Sequence, residues 1–190
     1  SATAIATVIG TLTALALTRH RFRGKTFADS TIYAATVMPE IVVGVSLLVF
    51  FVAIQFPLGI MTIIIAHVAF TISFVTIVVR ARLSGMDRSI EEAAQDLGAN
   101  HIQTFLRVTL PLILPGVMAG ALLAFTLSFD DFVITFFVSG VGSSTLPLKI
   151  YSMVKFGPSP VINALSTVVL VATMILIVGG RRILARKENS

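Results

Sequence analysis

Three acidic side chains lie inside long apolar runs of this chain: Glu40, Asp130 and Asp131. A carboxylate in a hydrocarbon-like environment costs roughly 2.5–3.5 kcal/mol on insertion scales, so each is a candidate for work on a solute, a proton or a neighbouring helix. Asp130 and Asp131 stand in Leu127-Ser128-Phe129-Asp130-Asp131-Phe132, and Glu40 follows Pro39. No lysine or arginine lies in the same runs to neutralise them. Adjacent residues on a helix point about 100° apart, so the two aspartates cannot both face one point. One can line a pathway while the other holds a neighbouring helix or a subunit interface; hydrogen bonding within a bundle is the alternative for each acid. Pro39 either breaks its helix and exposes carbonyls beside Glu40, or only kinks it.

Other chemistries find little footing. Cysteine is absent, which removes disulfides and thiolates, and His20, His67 and His101 are scattered without metal-ligand spacing. No G-x-x-x-x-G-K-[ST] phosphate loop occurs, so the chain is not expected to hydrolyse ATP. An intramembrane aspartyl protease needs two carboxylates converging from different helices, which adjacent aspartates do not supply. No enzyme site is expected.

The elements that carry these acids are apolar enough to cross a bilayer. Of the 190 residues 56% are hydrophobic and 12% charged, with a mean hydropathy of +0.97. A crossing helix needs about 20 largely apolar residues. The pattern predicts an all-α polytopic bundle with five spans: Ser1–Thr18, Ile32–Gln55, Pro57–Val79, Leu112–Val138 and Val161–Gly179. The net charge of +5 sits in clusters between the spans rather than in a nucleic-acid-binding face. Arg19, Arg21, Arg23, Lys25, Arg80, Arg82, Arg88, Arg107, Arg181, Arg182, Arg186 and Lys187 fall on one side, against Lys149 and Lys155 on the other. The positive-inside rule places the first side and the C-terminus in the cytoplasm. Five spans then leave Ser1 outside, with no export signal before it; one further helix upstream would resolve this, so the sequence is expected to begin inside a longer protein. No internal repeat is visible, and one domain is expected over 1–190.

The loop between the third and fourth spans is unusually structured. Ser89-Ile90-Glu91-Glu92 reads as a capping box. Ile90, Ala93, Ala94 and Leu97 form a short apolar stripe, with Glu91, Gln95 and Asp96 off it. Gly98 stands where a helix end favours a left-handed residue. A second amphipathic piece carries Ile102, Phe105 and Leu106 and ends at Pro111. A helix of about eight residues is not stable alone in water. It either folds back on its own membrane domain or docks into a groove on a cytoplasmic partner.

Glu92-Ala93-Ala94, then Gly98, then Val108-Thr109-Leu110-Pro111 resembles the EAA signature of binding-protein-dependent ABC importer permeases, with Val108 where that family usually has isoleucine. The resemblance covers essentially the whole chain. It implies a six-helix subunit of a bacterial cytoplasmic (inner) membrane, lacking its first helix here, in which residues 87–111 form the coupling loop. Glu92, Ala93, Ala94, Leu97 and Gly98 would meet an ATPase subunit. The implied partners are two cytoplasmic ATPases carrying ATP and Mg, a second permease subunit, an external solute-binding protein and membrane lipid. No cofactor would be bound by this chain.

Met38-Pro39-Glu40, Ser128-Phe129-Asp130-Asp131 and Leu146-Pro147-Leu148-Lys149-Ile150-Tyr151-Ser152-Met153-Val154 look like the spermidine/putrescine branch, as do Ser159-Pro160 and Asn163-Ala164. That branch implies a flexible polycation as solute. Acidic groups with aromatic neighbours such as Phe129, Phe132 and Tyr151 suit it chemically. Residues 139–160 read either as an external gate or re-entrant loop or as a plain connector. The competing function is a secondary transporter or channel for small cations, which would need no docking helix.

Overall fold

The computed structural model describes residues 1–155, 163–164, 166–171 and 174. They are helical, with no strand among them. The chain divides into two compact units, Ser1–Thr145 and Leu146–Ser190. The expected fifth span over 161–179, the basic tail over 181–187 and Ser159-Pro160 lie largely or wholly outside the described residues.

In the first unit, α1 (Ala2–Arg19), α4 (Ile60–Ser84) and α7 (Leu110–Asp130) form the frame. The 25 residues of α4 give a rod of about 37 Å, longer than the roughly 30 Å of a bilayer's hydrocarbon. Two cores line this rod. Towards its C-terminal end, Val75, Val79 and Leu83 pack with Ala14 of α1 and with Ile113 and Ala124 of α7. Towards its N-terminal end, Ile63, Ala66 and Phe70 pack with Phe51, Ile134 and Val138. Val75 is received between Gly10 of α1 and Gly120 of α7, where the missing side chains let three helices approach closely. Two buried hydroxyls on α4 bond within the helix: Thr71 donates to the His67 carbonyl at 2.6 Å and Thr76 to the Ile72 carbonyl at 2.7 Å.

Three helices of the described residues are long and apolar enough to cross a membrane: Ala2–Arg19, Ile60–Ser84 and the continuous helical stretch His101–Asp130. The expected second span, Ile32–Gln55, is instead two helices, α2 (Lys25–Val37) and α3 (Glu40–Ala53), bent by 113°. Pro39 causes the break: it forces Met38 into an extended conformation (φ −66°, ψ 132°) and starts α3 afresh. Asp29 of α2 is ion-paired with Arg80 of α4, tying the bent pair to the frame.

The fourth expected span also breaks, at Asp131, between α7 and the short α8 (Val133–Val138). A tight turn at 140–143 follows, with Ser143 N donating to the Gly140 carbonyl at 3.1 Å. This turn lies against the α3–α4 hairpin, where Thr62 Oγ1 donates to the Val138 carbonyl at 2.7 Å. The approach demands glycine, because a Cβ on residue 140 would lie 1.9 Å from the Leu58 carbonyl oxygen. In the second unit, α9 (Leu146–Lys155) carries Tyr151, and 163–164, 166–171 and 174 are helical.

Gly140→Ala forces backbone against backbone and should destabilise the fold by about 1–3 kcal/mol. The apparent melting temperature by size-exclusion thermostability in detergent should fall, whereas an unchanged value would show that the turn yields without cost.

Candidate functional site

The acid pair sits at the α7–α8 break, and the two members differ completely. Asp131 is 6% exposed. Its Oδ1 accepts from Ile134 N at 3.1 Å, and its Oδ2 accepts from Thr135 N at 2.9 Å and from Thr135 Oγ1 at 2.8 Å. These are the orphan amides of α8's first turn, so Asp131 works as an N-terminal cap. His67 of α4 reaches the same group, with Nε2 3.2 Å from Asp131 Oδ2 and 2.9 Å from Thr135 Oγ1. The Thr135 proton is committed to Asp131, so Nε2 carries the ring proton and donates to both. In the neutral ring Nδ1 then accepts from Ser128 Oγ at 2.7 Å. One buried network thereby ties α4, α7 and α8 together.

Asp130, the last residue of α7, is exposed and makes no hydrogen bond or ion pair among the described residues. The unpaired carbonyls of a helix C-terminus carry partial negative charge, which adds to its own. The preceding residue, Phe129, stacks on Phe125 one turn back at 5.6 Å between ring centroids, and Phe132 lies 5.7 Å from Phe136. Glu40 is exposed in the first turn of α3, where a carboxylate complements the helix dipole. One turn further on, Gly44 abuts Ile134 and Phe137 of α8. No ion pair or hydrogen bond joins Glu40 to either aspartate among the described residues. Tyr151 lies on α9 in the second unit. His67 was dismissed above for lacking metal spacing; its place inside an apolar span, like that of the acids, was the signal that marks it.

At the other end of α4 lies the structured loop. Helix α5 (Ser89–Asp96) does not start with the expected Ser89–Glu92 box. Arg88 is already helical (φ −67°, ψ −26°), which puts Ser89 inside the first turn. The cap is Asp87, whose Oδ1 accepts from Ser89 N at 3.0 Å. That bond holds the Asp87 carboxyl below its ordinary value of 3.8. A reciprocal box does form at Asn100 and Gln103, where each side chain meets the other's backbone N–H, at 3.1 and 2.9 Å. It starts α6 (His101–Thr104), which passes through a π-helical turn at Phe105–Thr109 directly into α7. The second amphipathic piece is therefore the root of a span.

No residue of α5 is buried. Glu92 and Ala93 are exposed, Ala94 is half-buried, and Leu97 is 90% exposed. Gly98 takes φ +91° with open space about its Cα. The side that does meet the protein carries Glu91, ion-paired with Arg19 of α1 at 3.0 Å and accepting from Thr109 Oγ1 at 2.7 Å. In sequence Arg19 is marked only as a membrane-flanking charge, and no local pattern gives Glu91 a role.

A bundle built on apolar helices, with a capped helix showing a bare apolar stripe at one end, matches a known group. Residues 6–187 match the model of the binding-protein-dependent transport system inner membrane component family. The chain belongs to this family. It is 43% identical over 188 residues to the spermidine/putrescine transport system permease protein PotC of Haemophilus influenzae, covering 99% of this chain and 73% of that one. The PotC protein of Escherichia coli K12 is 45% identical over 184 residues, 97% and 70% of the two chains. The putrescine transport system permease protein PotI of the same organism is 45% identical over 191 residues, 97% and 68%. A chain in a crystal structure of an amino acid ABC transporter with histidines superposes with a TM-score of 0.67 at 19% identity, over 95% of this chain and 86% of that one; it shares the fold. This family member is thus a multi-pass membrane permease.

Two predictions follow from the geometry of this permease. Asp131→Ala strands two buried amides and His67 at about 1–3 kcal/mol per unsatisfied group, so thermostability in detergent should drop sharply, while Asp130→Asn should leave it unchanged. Asp87 favours the folded loop because its folded pKa is depressed. That contribution is present above 3.8 and fades as pH falls through the lower folded value. Hydrogen exchange of the α5 amides, corrected for intrinsic rates, should therefore quicken at low pH in the wild type, and Asp87→Asn should flatten that dependence.

Proposed function

We propose that this permease imports a polyamine-type cation, spermidine or putrescine in class, driven by ATP hydrolysed on two partner subunits. The single observation that carries the solute assignment is the division of the acid pair. Asp131 already accepts from four donors, three on α8 and the His67 imidazole. Asp130 stands exposed at a helix C-terminus beside aromatic rings. A broken span that ends in free carbonyls and a carboxylate suits an ammonium group, and the neighbouring aromatic faces suit the next one. The likeness to PotC and PotI supports the same class. Asp130 is the receptor in this reading, and Glu40 and Phe132 flank the route.

The partner reading rests on α5. Its exposed face of Ile90, Ala93 and Leu97 fits a groove on an ATPase that binds ATP and Mg, with Glu92, Ala94 and Gly98 shaping the contact. A second permease subunit would complete the pathway, and an external binding protein would deliver the solute. In this reading α5 and the C-terminus face the cytoplasm, which the basic clusters at the α1 and α4 ends support through the positive-inside rule.

Leu97→Asp leaves this chain's own packing alone, because Leu97 is almost fully exposed. Copurified ATPase activity should fall by about tenfold or more, as at an interface hot spot. Asp130→Asn should keep the ATPase bound and raise the KM for radiolabelled putrescine uptake by about 10–100-fold, the worth of a charged hydrogen bond. Uptake with an unaltered KM would remove Asp130 from the route.

A further inference from the structure

The coupling signature has two blocks, Glu92-Ala93-Ala94 with Gly98 and the later Val108-Thr109-Leu110-Pro111, and docking accounts for the first alone. The residue just before the first block joins it to the second. Glu91 uses its two oxygens on two different spans: Oε2 is 3.0 Å from Arg19 Nη2, at the last residue of α1, and Oε1 accepts from Thr109 Oγ1 at 2.7 Å, in the π-helical turn at the root of α7. Arg88, the residue that opens α5, donates from Nη2 to the Arg19 carbonyl at 3.4 Å and doubles the link to α1. The Arg19 and Glu91 side chains are only 14% and 16% exposed, so water screens the pair poorly. Among the described residues Arg19 Nε and Nη2 make no hydrogen bond, so the 3.0 Å approach of Nη2 to Glu91 is a contact of charges, and Glu91 is the acid ion-paired with this buried guanidinium.

We propose that Glu91 is a positioning residue that transmits movement of the docking helix α5 into α1 and α7 together. No residue of α5 is buried, so apolar packing alone cannot make it push on the bundle. Breaking a shielded ion pair leaves an uncompensated charge, and this makes the strap resist both pulling and pushing. Thr109 passes the load to α7, at whose far end Asp130 stands, and Arg19 passes it to α1, which packs along α4. The proposal rests on α5 being the docking helix.

These 190 residues hold no cysteine, so, with any cysteines of the partner subunits replaced, spin labels can be placed at Leu12→Cys on α1 and Gln95→Cys on α5. In the assembled importer, nucleotide should shift the distance between the labels. In Glu91→Ala the resting distribution should broaden and the shift should vanish, with the ATPase still bound. ATP consumed per putrescine imported should rise by about tenfold, within the usual range of coupling between sites. The exchanged pair, Arg19→Glu with Glu91→Arg, should return that ratio to within about threefold of wild type, the mark of a pairwise interaction. A wild-type ratio and distance in Glu91→Ala would overturn the proposal. So would loss of the ATPase from Glu91→Ala without recovery in the exchanged pair, which would make Glu91 a docking residue. A wild-type chain that holds no ATPase would sink the docking reading instead. The resting distance in the purified full-length protein would then still judge the strap: broadening in Glu91→Ala supports it, and no change overturns it.

Discussion

At membrane depth no water stands ready to satisfy a broken backbone, so every interrupted helix needs its partners inside the protein. The interruption between α7 and α8 meets that demand with one carboxylate. Asp131 takes the orphan amides of α8 on both oxygens and is held in turn by His67 on the central helix. Without this arrangement α8 could not lie against Ile63, Ala66 and Phe70, and the turn at 140–143 would lose its seat on the α3–α4 hairpin. A charge that looks costly from the sequence is here the condition for the fold, because it accepts three hydrogen bonds from α8 and a fourth from imidazole.

The same economy separates two neighbouring aspartates. Full occupancy of Asp131 fixes the direction in which α7 ends, and this leaves Asp130 projecting where nothing in the described chain competes for it. A carboxylate already satisfied by four donors has little affinity left for a passing cation; an unsatisfied one at a helix C-terminus has a great deal. The distinction is one of hydrogen-bond capacity rather than residue type.

Much of this was legible in the chain of letters. Runs of apolar residues located α1, α4 and α7, and the structured loop after α4 could be recognised by its stripe and by Gly98, whose left-handed backbone the structure shows. Breaks were harder. Pro39 signalled an interruption at 38–39, but the size of the turn depends on how α3 packs on α8, which no local pattern contains. Asp131 as a cap was hidden because the hydropathy of 112–138 is continuous across it. Ser89 offered a better textual cap than Asp87, and lost because helical geometry begins one residue earlier. Long-range partners such as Arg19 with Glu91 and His67 with Asp131 are 72 and 64 positions apart in sequence, and only packing of α1 and α7 on α4 brings them together.

From His101 to Asp130 the chain is one uninterrupted helical path, with the π-helical turn taking up about one residue more per turn than the α-helix around it. Each residue on such a path turns those beyond it by about 100°. Losing or gaining a single codon after Thr109 would swing Asp130 away from the face it shares with the rest of α7, and one between Glu91 and Thr109 would detach Thr109 from Glu91. Exposed side chains between these points are therefore freer to change than the number of residues that separates them. Length itself is the inherited quantity there.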